Sequence, residues 1–197
     1  MCEAELCADQ DVRVLCLVMT HPGNHQTRAL QVARTWGRRC SYLRFLTTQE
    51  DQQLETYVSN STEVQSWSQR SNWIISQFTR QAYDHIWGKT KYGFKRAYEE
   101  FYDKVDWVMK ADDDTYVVLE NLRFLLSDYN SSDPIWFGCE FNVIVKEGYM
   151  SGGAGYVLSK GKLSQYTQLA IVNQSDHFDD LFLFSSAVYL SFPGQSP

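Results

Sequence analysis

The sequence predicts an α/β fold, a mainly parallel sheet flanked by helices. Three observations carry this. The chain opens with a short apolar run rich in β-branched residues, VRVLCLVM, followed by a helical stretch and a second short strand. A long helical pattern later leads directly into another apolar run, VDWVMK. A glycine-rich turn, SGGAG, then feeds one more short strand, YVLS. Strand, helix, strand in succession is how a parallel α/β sheet begins.

Taken in order, Val12 to Met19 is a buried strand. His21-Pro22-Gly23-Asn24 ends it, and Asn24 is placed to cap a helix that runs to about Trp36 and stops at Gly37. Ser41 to Thr47 (SYLRFLT) is the second strand. Residues 49 to 75 are polar with scattered tryptophans and read as a short helix followed by an irregular insertion. From Phe78 to Tyr102 the apolar Ile86, Phe94, Ala97, Tyr98 and Phe101 fall near helical spacing, with a weak point at Gly88. Val105 to Lys110 is the next strand. Tyr116 to Asp128 is helical, and Pro134 opens a strand from Ile135 to Cys139. Asn142 to Val145 is extended, residues 151 to 159 are the glycine turn and its strand, and Gly161 to Leu169 is helical.

The chain has 197 residues, 44% hydrophobic and 15% aromatic, enough to bury the core of one domain or a large part of one. Its formal net charge of -6 argues against nucleic acid as a partner, because phosphate binding needs a basic face. A nucleotide held through a metal stays open. No stretch reaches the roughly 18 apolar residues of a membrane-spanning helix. The start, MCEAELCADQ, lacks the basic-then-apolar order of a signal peptide. Sequons at Asn60, Asn130 and Asn173 add some weight to a lumenal protein.

The chemistry concentrates in KADDDTY, residues 110 to 116. On the tripeptide alone, Asp112, Asp113 and Asp114 fit two roles equally. Asp114 or Thr115 can cap the following helix, whose first turn favours acidic residues. Alternatively, the carboxylates can grip a cation. Their place at the end of a strand favours the second role, because open α/β sheets bind ligands beyond the carboxyl ends of their strands. Hard divalent cations take oxygen ligands and often complete their shell with substrate phosphates. SGGAGYVLS is either a tight turn or a place where a ligand approaches the backbone. It is not a P-loop, since no lysine follows in G-K-[ST] order, and no G-x-G-x-x-G follows the first strand. Arg34 can pair with a phosphate or simply lie in solvent near a helix end, and Lys89 on the long helix carries the same two readings.

The five cysteines are Cys2, Cys7, Cys16, Cys40 and Cys139, and no C-x-x-C pair points to structural zinc. Cys16 in the first strand and Cys40 before the second can bridge or remain buried thiols.

VRVLCLVMTHP, ARTWGRRC, WGKTKYGF, DWVMKADDDTYVVLENLRFLL and GYMSGGAGYVLSK together resemble the core 1 β1,3-galactosyltransferases of animals. Those enzymes belong to the wider β1,3-glycosyltransferase family that includes the fringe enzymes. The resemblance covers about residues 11 to 169. It implies a GT-A type nucleotide-sugar-binding fold, a UDP-galactose donor and Mn2+ held through a D-x-D motif. It implies an inverting transfer of galactose to O3 of GalNAc on Ser or Thr of a glycoprotein. By position, Asp112 and Asp114 become the metal residues, with Asp114 the main ligand. Asp112 and Asp113 support the metal or bind the ribose. Met19, Thr20, Arg34 and Lys89 line the UDP pocket, and Gly152 and Gly153 the sugar side. The family's disulfide maps onto Cys16 and Cys40. The implied location is the Golgi lumen, with membrane contact only through an anchor absent from this chain. A homodimer is left open. The related chaperone of these enzymes lacks an intact aspartate triplet, which this chain keeps.

Members of that family are longer at both ends, so the resemblance implies a fold incomplete at the C-terminus. Residues 1 to 10 are then a remnant, 11 to 169 the donor-binding domain and 170 to 197 a divergent tail. An inverting transfer needs a general base. Asp179-Asp180-Leu181 faintly echoes the acidic segment that supplies it in the family, which makes Asp180 the candidate and His177 a weaker candidate metal ligand. The alternative is a UDP- and metal-binding pseudoenzyme or accessory protein without acceptor chemistry.

Overall fold

The computed structural model describes residues 12–51, 53–54, 56–58, 81–141 and 149–172, with only the backbone given for 56–58, 81–88, 149 and 169–172. Residues 1 to 10, most of the 49–75 segment, Asn142 to Val145 and the tail from 173 onward, with Asp180 and His177, lie outside the described residues.

The strands are β1 (Val14–Met19), β2 (Tyr42–Thr47), β3 (Thr56–Val58), β4 (Trp107–Asp112), β5 (Trp136–Gly138), β6 (Glu140–Phe141), β7 (Tyr149–Met150) and β8 (Tyr156–Ser159). The α-helices are α1 (Leu30–Arg34), α2 (Gln81–Phe101), α3 (Leu119–Ser127) and α4 (Lys160–Val172). Six strands form one sheet in the order β3-β2-β1-β4-β8-β5, and β6 pairs with β7 apart from it. The pairs β1–β2, β1–β4 and β2–β3 are parallel, so the sheet is mainly parallel as expected. β8 runs antiparallel to both β4 and β5. A strand this short carries no sign of its direction in its sequence.

Every residue of β1 is buried, which accounts for its unbroken apolar run. Successive side chains alternate between the two faces. Val14, Cys16 and Val18 join Trp107, Met109 and Ala111 of β4 on one face, under Val32, Trp36, Leu119 and Leu126. Leu15, Leu17 and Met19 face the other way, under Phe94, Ala97 and Phe101 of α2 and Leu163 of α4. Helix α2 runs unbroken through Gly88, so the expected weak point there is absent. A different glycine matters more: a Cβ on Gly93 would stand 2.6 Å from Leu46 Cδ1, so its hydrogen lets α2 lie close on β2.

Three expected elements change. Thr56–Val58 is a strand in parallel register with Phe45 to Thr47, where a short helix was expected. The single helix expected from Asn24 to Trp36 is a 3-10 turn (Pro22–Asn24), a π turn (His25–Ala29), α1 and a second 3-10 turn (Trp36–Arg39). Thr35 leaves helical geometry at φ -109, ψ -109, which turns Trp36 into the core, while Gly37 sits within the second 3-10 turn rather than stopping the helix. Helix α3 starts at Leu119, not Tyr116, because Thr115 is tied down by its neighbours and residues 115–118 stay out of the helix.

Cys16 of β1 and Cys40 form a disulfide across 24 residues, the pairing that the resemblance implies. Closing a loop of that length constrains the unfolded chain by about 3 kcal/mol. Replacing both cysteines with alanine is expected to remove about that much unfolding free energy, read from urea denaturation. A wild-type midpoint that does not move with reductant would contradict it.

Candidate functional site

The sheet order places a topological switch point between β1 and β4. From β1 the chain moves outward through β2 and β3, then returns to β4 on the opposite side of β1. Ligands of open α/β sheets settle in the crevice beyond the strand ends at such a point. Met19 ends β1 directly beside Asp112, which ends β4. Asp113 and Asp114 follow in the turn. Because β8 runs antiparallel, Lys110 pairs with Tyr156, and the glycine turn before Tyr156 arrives at the same end of the sheet.

Each carboxylate has its own set of donors. Lys110, buried on the face that α2 covers, donates from Nζ to Asp112 Oδ1 at 2.6 Å and to the carbonyl oxygen of Gly152 at 3.0 Å. One ammonium thus ties the aspartates to the glycine turn. Asp113 is buried and accepts at Oδ2 from Thr20 Oγ1 at 2.7 Å and from Asn24 Nδ2 at 3.0 Å. Asp114 is exposed and accepts at Oδ2 from Arg28 Nη1 at 3.0 Å. The same nitrogen lies 3.5 Å from Asp113 Oδ1. Lys89 Nζ donates to the carbonyl oxygen of Thr20 at 3.2 Å. Burial pushes its pKa below the usual lysine range, and the charge of Asp113 acts against that shift.

The turn is fixed from both sides. Thr115 Oγ1 donates to the carbonyl oxygen of Gly153 at 3.0 Å, and Trp36 Nε1 donates to the carbonyl oxygen of Thr115 at 3.0 Å. Gly155 adopts φ +81, and a Cβ there would meet the carbonyl oxygen of Lys110 at 3.1 Å, so both backbone shape and space call for glycine. At Gly153 a Cβ would stand 4.0 Å from Asp112 Oδ2, so the missing side chain leaves that oxygen uncovered.

Of the residues singled out from sequence, Met19, Thr20, Lys89, Asp112, Asp113, Asp114, Gly152 and Gly153 come together at this one end of the sheet. Arg34 ends α1 exposed to solvent, and among the described residues no ion pair joins it to the aspartates. The arginine that does reach them is Arg28, which the sequence reading passed over. Lys110 was missed as well, although a lysine inside an otherwise apolar strand, two residues before Asp112, is a readable signal. Neither capping role survives. Val118 is the N-cap of α3, without a side-chain hydrogen bond, and Asn24 uses its amide on Asp113 instead of on a helix end.

The donor chemistry suits a hard divalent cation. Asp112 Oδ2 and Asp114 Oδ1 are carboxylate oxygens outside the hydrogen bonds just described. Among the described residues no three His, Cys, Asp or Glu side chains form a metal-holding group. A cation on Asp112 and Asp114 would therefore take its remaining ligands from elsewhere, as such ions do from phosphates.

Comparison with known proteins finds relatives over most of the chain. The chain is 37% identical to glycoprotein-N-acetylgalactosamine 3-beta-galactosyltransferase 1 of Xenopus laevis over 157 residues, 80% of this chain. That match spans 39% of the frog protein's length. Beta-1,3-glucosyltransferases of Mus musculus and Homo sapiens are 36% and 34% identical over 76 residues, 37% of this chain and 16% and 15% of their own lengths. The family model described as Fringe-like matches residues 10–183, which takes in the whole crevice from β1 to β8, and the chain belongs to that family.

Proposed function

We propose that this chain binds UDP-galactose and carries the donor side of an inverting β1,3-galactosyltransferase, with O3 of Ser/Thr-linked GalNAc on a glycoprotein as acceptor. The observation that carries the reading is the meeting of the three aspartates and the glycine turn at the switch point between β1 and β4. The frog relative's name supplies the specific sugar and acceptor. Asp112 and Asp114 would hold Mn2+, and the metal would neutralise the diphosphate leaving group. Met19, Thr20 and Lys89 would line the UDP pocket, and Arg34, exposed at the end of α1, would join them on the strength of the family resemblance alone. Gly152 and Gly153 would face the sugar. The bond from the anomeric carbon to the β-phosphate oxygen breaks as the acceptor oxygen attacks from the opposite side. The acceptor's proton passes to a general base, for which Asp180 is the candidate. A Golgi lumen location fits the Cys16–Cys40 bridge, because disulfides persist in oxidising compartments.

Calorimetry with UDP, with and without Mn2+, tests the donor half. Mass spectrometry of a GalNAc-peptide incubated with UDP-galactose and Mn2+ tests the transfer. The expected results are metal-dependent binding and a peptide heavier by one hexose. Metal-dependent binding without transfer would favour the accessory-protein reading. UDP binding that ignores Mn2+ would sink both.

A further inference from the structure

Two candidate metal ligands are already held by cations of this chain, and the two cations differ sharply. Lys110 is 5% exposed and has a second acceptor in the carbonyl oxygen of Gly152, so it is locked in place. Arg28 is 53% exposed, and its main partner, Asp114, is 61% exposed. Its other neighbour, Asp113, takes the hydrogen bonds of Thr20 and Asn24 on Oδ2 and faces Arg28 only with Oδ1, at 3.5 Å. An exposed ion pair contributes little, because water screens it and ordering two side chains costs entropy. Arg28 can therefore leave Asp114 easily, whereas Lys110 cannot leave Asp112.

A guanidinium and a divalent cation compete for the carboxylate of Asp114. The guanidinium also presents a planar set of donors that matches phosphate oxygens. Arg28 stands in the π turn just past the end of β1, beside the switch-point crevice. Resting on the donor reading above, we propose that Arg28 is an exchangeable counter-ion. It neutralises Asp114 when no donor is bound, yields that carboxylate to the incoming cation, and moves to the diphosphate of the nucleoside diphosphate that arrives with it. The Asp114 charge is balanced in both states, and the diphosphate gains a donor only when the cation is in place.

The test uses the full chain as wild type, Arg28→Met and Arg28→Lys, with Mn2+ and UDP as probes. Mn2+ affinity without nucleotide is read from the electron paramagnetic resonance signal of the free ion. UDP affinity at saturating Mn2+ is read by calorimetry. Without the competing guanidinium, Arg28→Met is expected to bind Mn2+ alone about 2- to 5-fold more tightly. It is expected to bind UDP with Mn2+ about 10-fold or more weakly, since charge-assisted bonds to phosphate are lost. Arg28→Lys keeps the charge without the planar fork and is expected to lie between the two for UDP. A merely structural residue would move both affinities the same way. Both affinities falling together, or neither changing, overturns the proposal while leaving metal-dependent UDP binding intact. A wild type that binds UDP equally with and without Mn2+ overturns the donor reading itself, and this proposal with it.

Discussion

Replacing Asp114 with alanine is expected to weaken Mn2+-dependent UDP binding by about 100-fold or more, with little change in melting temperature. Loss of groups that merely support a metal ligand commonly costs 10- to 100-fold, so loss of a ligand belongs at or beyond the upper end of that range. The fold should be spared. Asp114 is exposed, and its ion pair with Arg28 is a surface contact worth about 0–1 kcal/mol. Its neighbour is the internal control. Asp113 is buried and satisfies Thr20 and Asn24 at once, so Asp113→Ala leaves two polar groups behind and costs stability, about 1–3 kcal/mol. The two adjacent substitutions thus differ in their cost to the fold, and only Asp114→Ala is expected to weaken binding in a protein of unchanged stability. Calorimetry with and without Mn2+, alongside thermal unfolding of each variant, reads both. Unchanged Mn2+ dependence in Asp114→Ala would remove Asp114 from the metal assignment.

That contrast between neighbours was not legible in KADDDTY, and the reason is physical. A strand buried on both faces announces itself as an apolar run, unbroken in β1 and interrupted only by Lys110 before the aspartates in β4, so both strands stood out. Local sequence cannot say which strand lies beside which, because pairing order is set by how the whole sheet folds up. The switch point, and the antiparallel return of β8 that brings SGGAG to the aspartates, depend on that order. Arg28 and Asn24 are 86 and 89 residues from their carboxylate partners, beyond any helical or strand periodicity. Asn24 looked like a cap because asparagine before a helical pattern usually is one. Here the buried carboxylate of Asp113 made the stronger demand on its amide, since an unpaired buried charge is expensive. The departures from local rules cluster at the crevice, where a binding site would be expected to override them.

Trp36 offers the sharpest test of how the aspartate turn is held. The side chain is 1% exposed and packs among the residues of the β1 and β4 face. Trp36→Ala is expected to lower the unfolding free energy by about 3–5 kcal/mol, the usual cost of emptying a buried aromatic site. Against a total of about 5–15 kcal/mol for a typical domain, that is a large share. Trp36→Phe separates packing from hydrogen bonding. It keeps most of the bulk but removes Nε1–H, the donor to the carbonyl oxygen of Thr115. The expected loss in stability is about 1–3 kcal/mol, with the larger values applying if that oxygen stays unpaired. Thr115 in turn donates to the carbonyl oxygen of Gly153, so loosening it releases the glycine turn from the aspartates. UDP affinity with Mn2+ should therefore fall in Trp36→Phe under conditions where the variant is fully folded. Urea denaturation and calorimetry on the same preparation measure both effects. A Trp36→Phe protein with wild-type UDP affinity would mean that Lys110, which bridges Asp112 and Gly152, holds the turn without help from Trp36.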